Sequence, residues 1–172
     1  MAVLPIVIWG DVRLRQRSLE VRPEQIDDGF RAWCADLTET MYDEDGVGLA
    51  AIQVGRPIRV MVVDTTFGDT NVKAPVVYVN PVIEKVGPPC VSEEGCLSVP
   101  GIRGKVQRPE SIHISWLDEH GVAHRKENVD GLEARCLQHE LDHLEGVMFV
   151  DHLTPASRAL AEGKLRRLAR RA

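Results

Sequence analysis

Apolar residues in the first quarter of the chain recur at the spacing of an amphipathic helix. They fall three, four or seven positions apart within residues 23–41, as one face of a helix requires. Pro23 suits a first helical turn, because its backbone angle is already fixed near the helical value. The pattern therefore predicts a helix over residues 23–41, with an apolar face formed by Ile26, Phe30, Trp33, Cys34, Leu37 and Met41.

After residue 53 the pattern changes to short runs rich in β-branched residues. Residues 59–63, 76–79 and 111–117 read as strands, and apolar and polar residues alternate in the last of them. Asn80-Pro81 and Gly87-Pro88-Pro89 predict turns between strands, and residues 118–121 suit a hairpin connection.

Two further helices are predicted in the last third of the chain. Asp130, followed three positions later by Glu133, forms a capping-box pattern, and Gly146 marks a stop after about Glu145. A last helical stretch covers residues 155–172. This order predicts an α+β fold, with mainly antiparallel sheets packed around a central helix and with one helix near each terminus. We expect one domain over residues 1–172, of which 164–172 form a basic helical tail.

Composition narrows the class of protein. The 172 residues are 44% hydrophobic, which is enough for a core, and the four cysteines lack the spacing of a disulfide scaffold. The net charge of -5 argues against a surface built for DNA. The start of the chain has no cationic signal-peptide region, and no apolar run reaches the roughly 18 to 20 residues of a membrane span. We expect a soluble, cytoplasmic monomer.

The strongest chemical motif is H-E-x-x-H, formed by His139, Glu140 and His143 in the predicted central helix. The two histidines lie one turn and about 40° apart, so one ion can bind both, and Glu140 lies beside them. A catalytic site of this kind generally needs a third protein ligand. Cys96, Asp151 and His152 are all candidates by position.

Asp142 lies within the same motif and should face away from the ion. Its carboxylate either accepts a hydrogen bond from a group near the site or is simply solvated, and the pattern leaves both readings open.

Three segments together resemble the motifs of peptide deformylases, in the same order and at similar spacing. They are Gly46-Val-Gly-Leu-Ala-Ala-Ile-Gln53, Glu94-Gly-Cys-Leu-Ser98 and Gln138-His-Glu-Leu-Asp-His143. The resemblance implies an enzyme that removes the formyl group from the N-formyl-methionyl end of a nascent chain and releases formate.

The resemblance also implies roles for individual residues. Cys96, His139 and His143 would bind one divalent metal ion, and Glu140 would be the general acid and base for water that attacks the formyl carbonyl. Gln53 and the backbone N–H of Leu97 would stabilise the oxyanion. The other implied substrate-binding residues are Val47, Gly48, Glu94, Gly95 and Arg103, with Leu132 and Cys136 lining a methionine pocket.

The resemblance implies Fe(II) as the metal in the cell. A thiolate with two imidazoles also accepts Zn(II), Ni(II) or Co(II), so the donor set does not select among them.

Two other functions fit parts of the sequence. H-E-x-x-H alone is compatible with a zincin-like endopeptidase, and a closed four-ligand site would make the chain a structural metal module. The basic C-terminal helix has two readings as well. It is either a solvated face that suits a helix C-terminus or a surface that docks on ribosomal RNA near the nascent-chain exit.

Overall fold

The computed structural model describes residues 2–171, and these form four α-helices and one five-stranded antiparallel sheet. The helices are α1 (Asp28–Asp43), α2 (Phe67–Thr70), α3 (Gly131–Leu144) and α4 (Pro155–Ala169). The strands lie in the order in which they occur, β1 (Gly48–Ala50), β2 (Val60–Val63), β3 (Val76–Gly95), β4 (Arg103–Leu117) and β5 (Ala123–Val129). The predicted α+β class is confirmed. Met1 and Ala172, the end residues of the predicted domain, lie outside the described residues.

The first helix begins later than the periodicity predicts. Pro23 opens a short 3-10 turn that ends at Gln25, and α1 starts only after Asp27. The Asp27 carboxylate accepts a hydrogen bond from the Phe30 N–H at 2.7 Å, so it supplies the helix cap. Apolar spacing continues across the break, which is why residues 23–41 read as a single helix.

The turns predicted inside residues 76–95 are wrong, because β3 continues through both of them as irregularities in its pairing with β4. Asn80 takes a positive φ of 51°, and its side chain exchanges hydrogen bonds with the backbone of Val21 at 2.8 and 2.9 Å. Gly87 takes a φ of 79° at the second irregularity. The hairpin connection at residues 118–121 is confirmed, since it joins β4 to β5.

The central helix α3 starts after Asp130 as predicted, but the capping box does not form. The Asp130 side chain makes no cap hydrogen bond, and Glu133 instead pairs with Lys126 at 2.7 Å. Gly146 ends the helix with a φ of 74°. Leu137 and other apolar residues of α3 are buried against the sheet and anchor the helix, and His139, Glu140 and His143 of the H-E-x-x-H motif are buried as well.

The sheet is covered on both faces. Alternate residues of β2 face opposite sides, so Met61 packs in a cluster with α3 while Val60 and Val62 pack in a cluster with α1. The long β3–β4 hairpin also joins two clusters. Ile112 of β4 lies in the cluster under α3, and Val106 lies in another cluster with α4 and the N-terminal segment.

The C-terminal helix α4 packs on the N-terminal segment through Ala161 and Leu165 and leaves most of its basic side chains exposed. Thr154 caps it by accepting a hydrogen bond from the Ser157 N–H at 3.2 Å. Among residues 2–171, none of the helices has the length and apolar character that a membrane crossing requires.

Candidate metal centre and active site

Three potential metal donors converge at the end of β3 and on one face of α3. The Cys96 sulfur lies 3.2 Å from His143 Nε2, which in turn lies 3.2 Å from His139 Nε2. Candidate donor atoms of the three residues all lie within 4.8 Å of one another. The two histidines are neighbours because they are one helical turn apart, whereas Cys96 reaches them through the strand that precedes it.

The spacing and the charge of this cluster fit a divalent cation. Nitrogen and sulfur ligands at zinc-type bond lengths, arranged tetrahedrally, lie about 3.3 to 3.6 Å from each other. The two observed contacts are close to that range. Burial would lower the pKa of His139, but the neighbouring Cys96 and Glu94 outweigh it and raise the pKa to about 10. His143 shifts the other way, because burial and the positive charges of His139 and Arg108 lower its pKa.

Asp151 and His152, the other candidates for the third donor, lie in other interactions. Asp151 pairs with Arg15 at 2.5 Å, and His152 contacts Asp142 at 2.8 Å. Cys96 is the candidate that the fold brings to the histidines.

Glu140 lies beside the donor cluster in a water-poor environment. Its side chain is buried, and Oε2 has no hydrogen-bond partner within residues 2–171. Burial raises the pKa of this carboxyl to about 7, although the positive charges of His139 and Arg108 oppose the shift. A carboxyl with a pKa near neutrality and a free oxygen can both accept and return a proton.

Gln53 is held with its amide directed at the same point. It lies in a short 3-10 turn directly after β1, where its Oε1 accepts a hydrogen bond from the Ala50 N–H at 2.9 Å. Its Nε2 lies 3.5 Å from the Cys96 sulfur and 3.2 Å from Ser98 Oγ. The Leu97 N–H follows Cys96 directly, and no backbone carbonyl within residues 2–171 accepts it.

A buried network behind the metal donors was not predicted. Arg108 donates two hydrogen bonds to Glu94, at 2.6 and 3.0 Å, and a third to Asp142 at 2.8 Å. Glu94 Oε2 also lies 2.9 Å from His139 Nδ1. Its pKa falls to about 2, because hydrogen bonds from His139 and Arg108 outweigh the opposing effect of burial. The network fixes the orientation of the His139 ring.

This network settles the two readings of Asp142. Its carboxylate accepts hydrogen bonds from Arg108 and His152 and is not simply solvated. Arg108 lies outside the three motifs and before the strand predicted over residues 111–117, so no sequence pattern indicated its role.

The predicted substrate residues all line one open cavity of about 610 Å³, as do Cys96, His139 and Glu140. These residues are Val47, Gly48, Glu94, Gly95, Arg103, Leu132 and Cys136. Arg103 is mostly exposed and pairs with Glu93 at 3.3 Å, so it lies at the rim. Cys136 is buried and contacts the Val47 carbonyl oxygen at 3.5 Å, which connects α3 to the start of β1.

Comparison with known proteins gives concordant results. A sequence profile described as polypeptide deformylase matches residues 3–159. A peptide deformylase of Rhizorhabdus wittichii is 47% identical over 177 residues, which cover 100% of this chain and 98% of that protein. The crystal structure of a peptide deformylase from Legionella pneumophila superposes with a TM-score of 0.88 at 40% identity, covering 98% of this chain and 96% of that one. A peptide deformylase from Synechococcus elongatus, crystallised in complex with actinonin, gives a TM-score of 0.85 at 38% identity, with coverage of 99% and 88%.

Proposed function

The chain belongs to the polypeptide deformylase family, and on that premise we propose how its own side chains remove the formyl group from the amino terminus of a nascent polypeptide. The observation that carries the proposal is the buried Glu140 carboxyl, one oxygen of which has no hydrogen-bond partner within residues 2–171, next to three converging metal donors. The class of the enzyme is a metal-dependent hydrolase that acts on an amide and releases formate.

Cys96, His139 and His143 would hold one divalent metal ion. Such an ion, when bound, supplies Lewis-acid activation of water and of the formyl carbonyl. Fe(II) is our proposal for the ion in the cell, with Zn(II), Ni(II) or Co(II) accepted by the same donors. Metal analysis of protein purified without oxygen, paired with formate release, tests this. Zinc with full activity and no iron would contradict it.

Glu140 would move the proton in both halves of the reaction. Its carboxylate takes a proton from the attacking water and then returns it to the leaving nitrogen. Burial keeps the carboxyl pKa close to neutrality, so both transfers are accessible at physiological pH.

Gln53 and the Leu97 N–H would stabilise the negative charge that develops on the formyl oxygen. Both donate from positions adjacent to Cys96, and both are neutral groups that carry no titratable proton. The Gln53 amide is already oriented by its hydrogen bond with Ala50, so little reorganisation is needed.

The peptide would lie in extended form along β1. This strand pairs with β2 on one side only among the described strands, so its other edge can accept a further strand. A Cβ at Gly48 would meet Cys136 and Glu140 of α3, so the glycine lets β1 lie close to the helix that carries Glu140. The methionine side chain would enter the part of the cavity lined by Leu132 and Cys136, with Val47, Gly95 and Arg103 forming the remaining walls.

Substitution Glu140→Gln tests the function. We expect the variant to bind one metal ion per chain and to release formate from formyl-Met-Ala-Ser at least about 100-fold more slowly. Glu133→Gln is the matched control, because Glu133 is in the same helix and pairs with Lys126 outside the motif.

The same experiment separates the two other candidate functions. Cleavage of an unformylated peptide without formate release would favour an endopeptidase. Full turnover by Glu140→Gln would contradict the role of Glu140, and a closed site of four protein ligands would indicate a structural module.

We propose in addition that the basic face of α4 docks on ribosomal RNA. Arg167 and Arg170 are exposed and have no acidic partner within residues 2–171, and this face lies opposite the buried Leu165. Deletion of the tail would remove Leu165 from the core, so charge reversal is the better test. Arg167→Glu with Arg170→Glu should abolish co-sedimentation with ribosomes at low salt.

The control for docking reverses two exposed arginines elsewhere, Arg22→Glu with Arg125→Glu. Equal loss in both double variants would show a nonspecific charge effect and would contradict docking through α4. We further propose that the enzyme works in the cytoplasm and that it is a monomer. Light scattering at micromolar concentration tests the monomeric state.

A further inference from the structure

Arg135 is a charged residue in the cavity that the reaction described above does not use. It is on α3, four positions before His139, and its side chain is half-buried and lines the cavity. It has no ion-pair or hydrogen-bond partner among residues 2–171, in contrast with the other cavity arginine, Arg103, which pairs with Glu93. A guanidinium with unused donors at the wall of a peptide cleft can bind a carboxylate.

The geometry of α3 relates Arg135 to the methionine pocket. At 100° per residue, Leu132, Arg135, Cys136 and His139 all fall within about 100° of helix surface. They therefore form one wall of the cavity, and Arg135 lies about 6 Å along the axis from His139.

Alternation along an extended peptide then selects one substrate position. Residues one and three of a strand direct their side chains to the same face, and they lie about 6.6 Å apart. If methionine points toward α3, the third residue does so as well, and the second points away.

Other charged side chains at the cavity compete with Arg135 in attracting a charged peptide side chain. Glu93 and Glu94 are paired with arginines, whereas Glu44 and Asp45 line the cavity without an ion-pair partner among the described residues. The latter two belong to the turn after α1, so they attract cations on a different wall from α3.

We propose that Arg135 is a specificity residue that favours an acidic side chain at the third residue of the formylated peptide over a basic one. The proposal rests on the deformylase function proposed above and on the extended binding mode along β1.

The test compares kcat/KM for formyl-Met-Ala-Glu and formyl-Met-Ala-Lys, both with amidated C-termini. We expect the wild-type enzyme to prefer the glutamate peptide about two- to fivefold, the size of a solvent-accessible ion pair. Arg135→Glu should invert the ratio, and Arg135→Lys should preserve its direction. Arg125→Glu, an exposed charge reversal on β5, should leave the ratio unchanged.

Position and salt provide further checks. The preference should shrink when the charge is moved to the second residue, and it should weaken as ionic strength rises. A ratio that is the same in wild type and Arg135→Glu would overturn the proposal, as would a stronger effect at the second residue. Failure of the wild-type enzyme to release formate from any of these peptides would instead refute the proposed function.

Discussion

Gly48 is the position at which the smallest substitution should have the largest effect on the reaction. A methyl group at this residue would lie 2.6 Å from the Cys136 sulfur and 2.8 Å from Glu140 Oε1. Ordinary contacts between such atoms need about 3.5 to 4.0 Å, so Gly48→Ala must displace β1, α3 or the Glu140 carboxylate by about 1 Å.

Displacement of that size acts on the chemistry more than on the fold. Overpacking of this kind costs about 1 to 3 kcal/mol of stability. A shift of about 1 Å in a group that moves a proton lowers turnover by on the order of 100-fold. We therefore expect Gly48→Ala to remain folded, to bind its metal ion and to lose about two orders of magnitude in kcat/KM.

The assay is formate release from formyl-Met-Ala-Ser, with metal content and urea unfolding measured on the same sample. Gly163→Ala is the matched control, because a methyl group there meets nothing within 4 Å and lies in a helix. That control should gain about 0.5 to 1 kcal/mol of stability and keep its activity. If Gly48→Ala keeps kcat/KM within threefold of wild type, the close fit between β1 and Glu140 has no catalytic significance.

Three further predictions test the fold and its buried charges. Arg108→Met should destabilise the protein by about 3 to 5 kcal/mol in urea unfolding, because it removes the arginine partner of the buried Glu94 and of the partly buried Asp142; a loss below 1 kcal/mol would contradict this. Burial would raise the pKa of Asp64, but hydrogen bonds lower it to about 2. The ionised carboxylate therefore stabilises the fold by about 2 kcal/mol above pH 4, and this stabilisation is lost as the pH falls toward 2. The stability gap between wild type and Asp64→Asn should therefore close over that range, and a constant gap would disprove the linkage. At Gly146, φ is 74° and a methyl group would lie 2.5 Å from the Arg15 carbonyl oxygen. At Gly101, φ is 73° but a methyl group would meet open space. Gly146→Ala should therefore lower the thermal stability more than Gly101→Ala.

The metal and proton-transfer positions could be predicted from local sequence because a helix has a fixed period. His139 and His143 are one turn apart in any α-helix, and Glu140 is then necessarily beside them. Cys96 could be assigned only by resemblance, since its approach to the histidines depends on the course of β3 over twenty residues.

The strands were harder to predict than the helices for particular reasons. β5 is exposed at all but its last residue and polar between Ala123 and Val129, so it has no apolar alternation to detect. Asn80 and Gly87 resemble turn residues because they take positive φ, yet here they let β3 continue past adjacent prolines. The Arg108 network depends on which side chains the folded sheet brings beneath α3, and no spacing rule encodes that.

The β3–β4 hairpin has a consequence for how the molecule opens. Its two ends belong to different hydrophobic clusters, one beneath α3 and one beneath α4, while its strands are paired along almost their whole length. Opening the packing at either end would break hydrogen bonds between β3 and β4 that also hold the residues of the other cluster in place. Large fluctuations should therefore involve both ends of the hairpin at once, which protects the catalytic cleft from local melting.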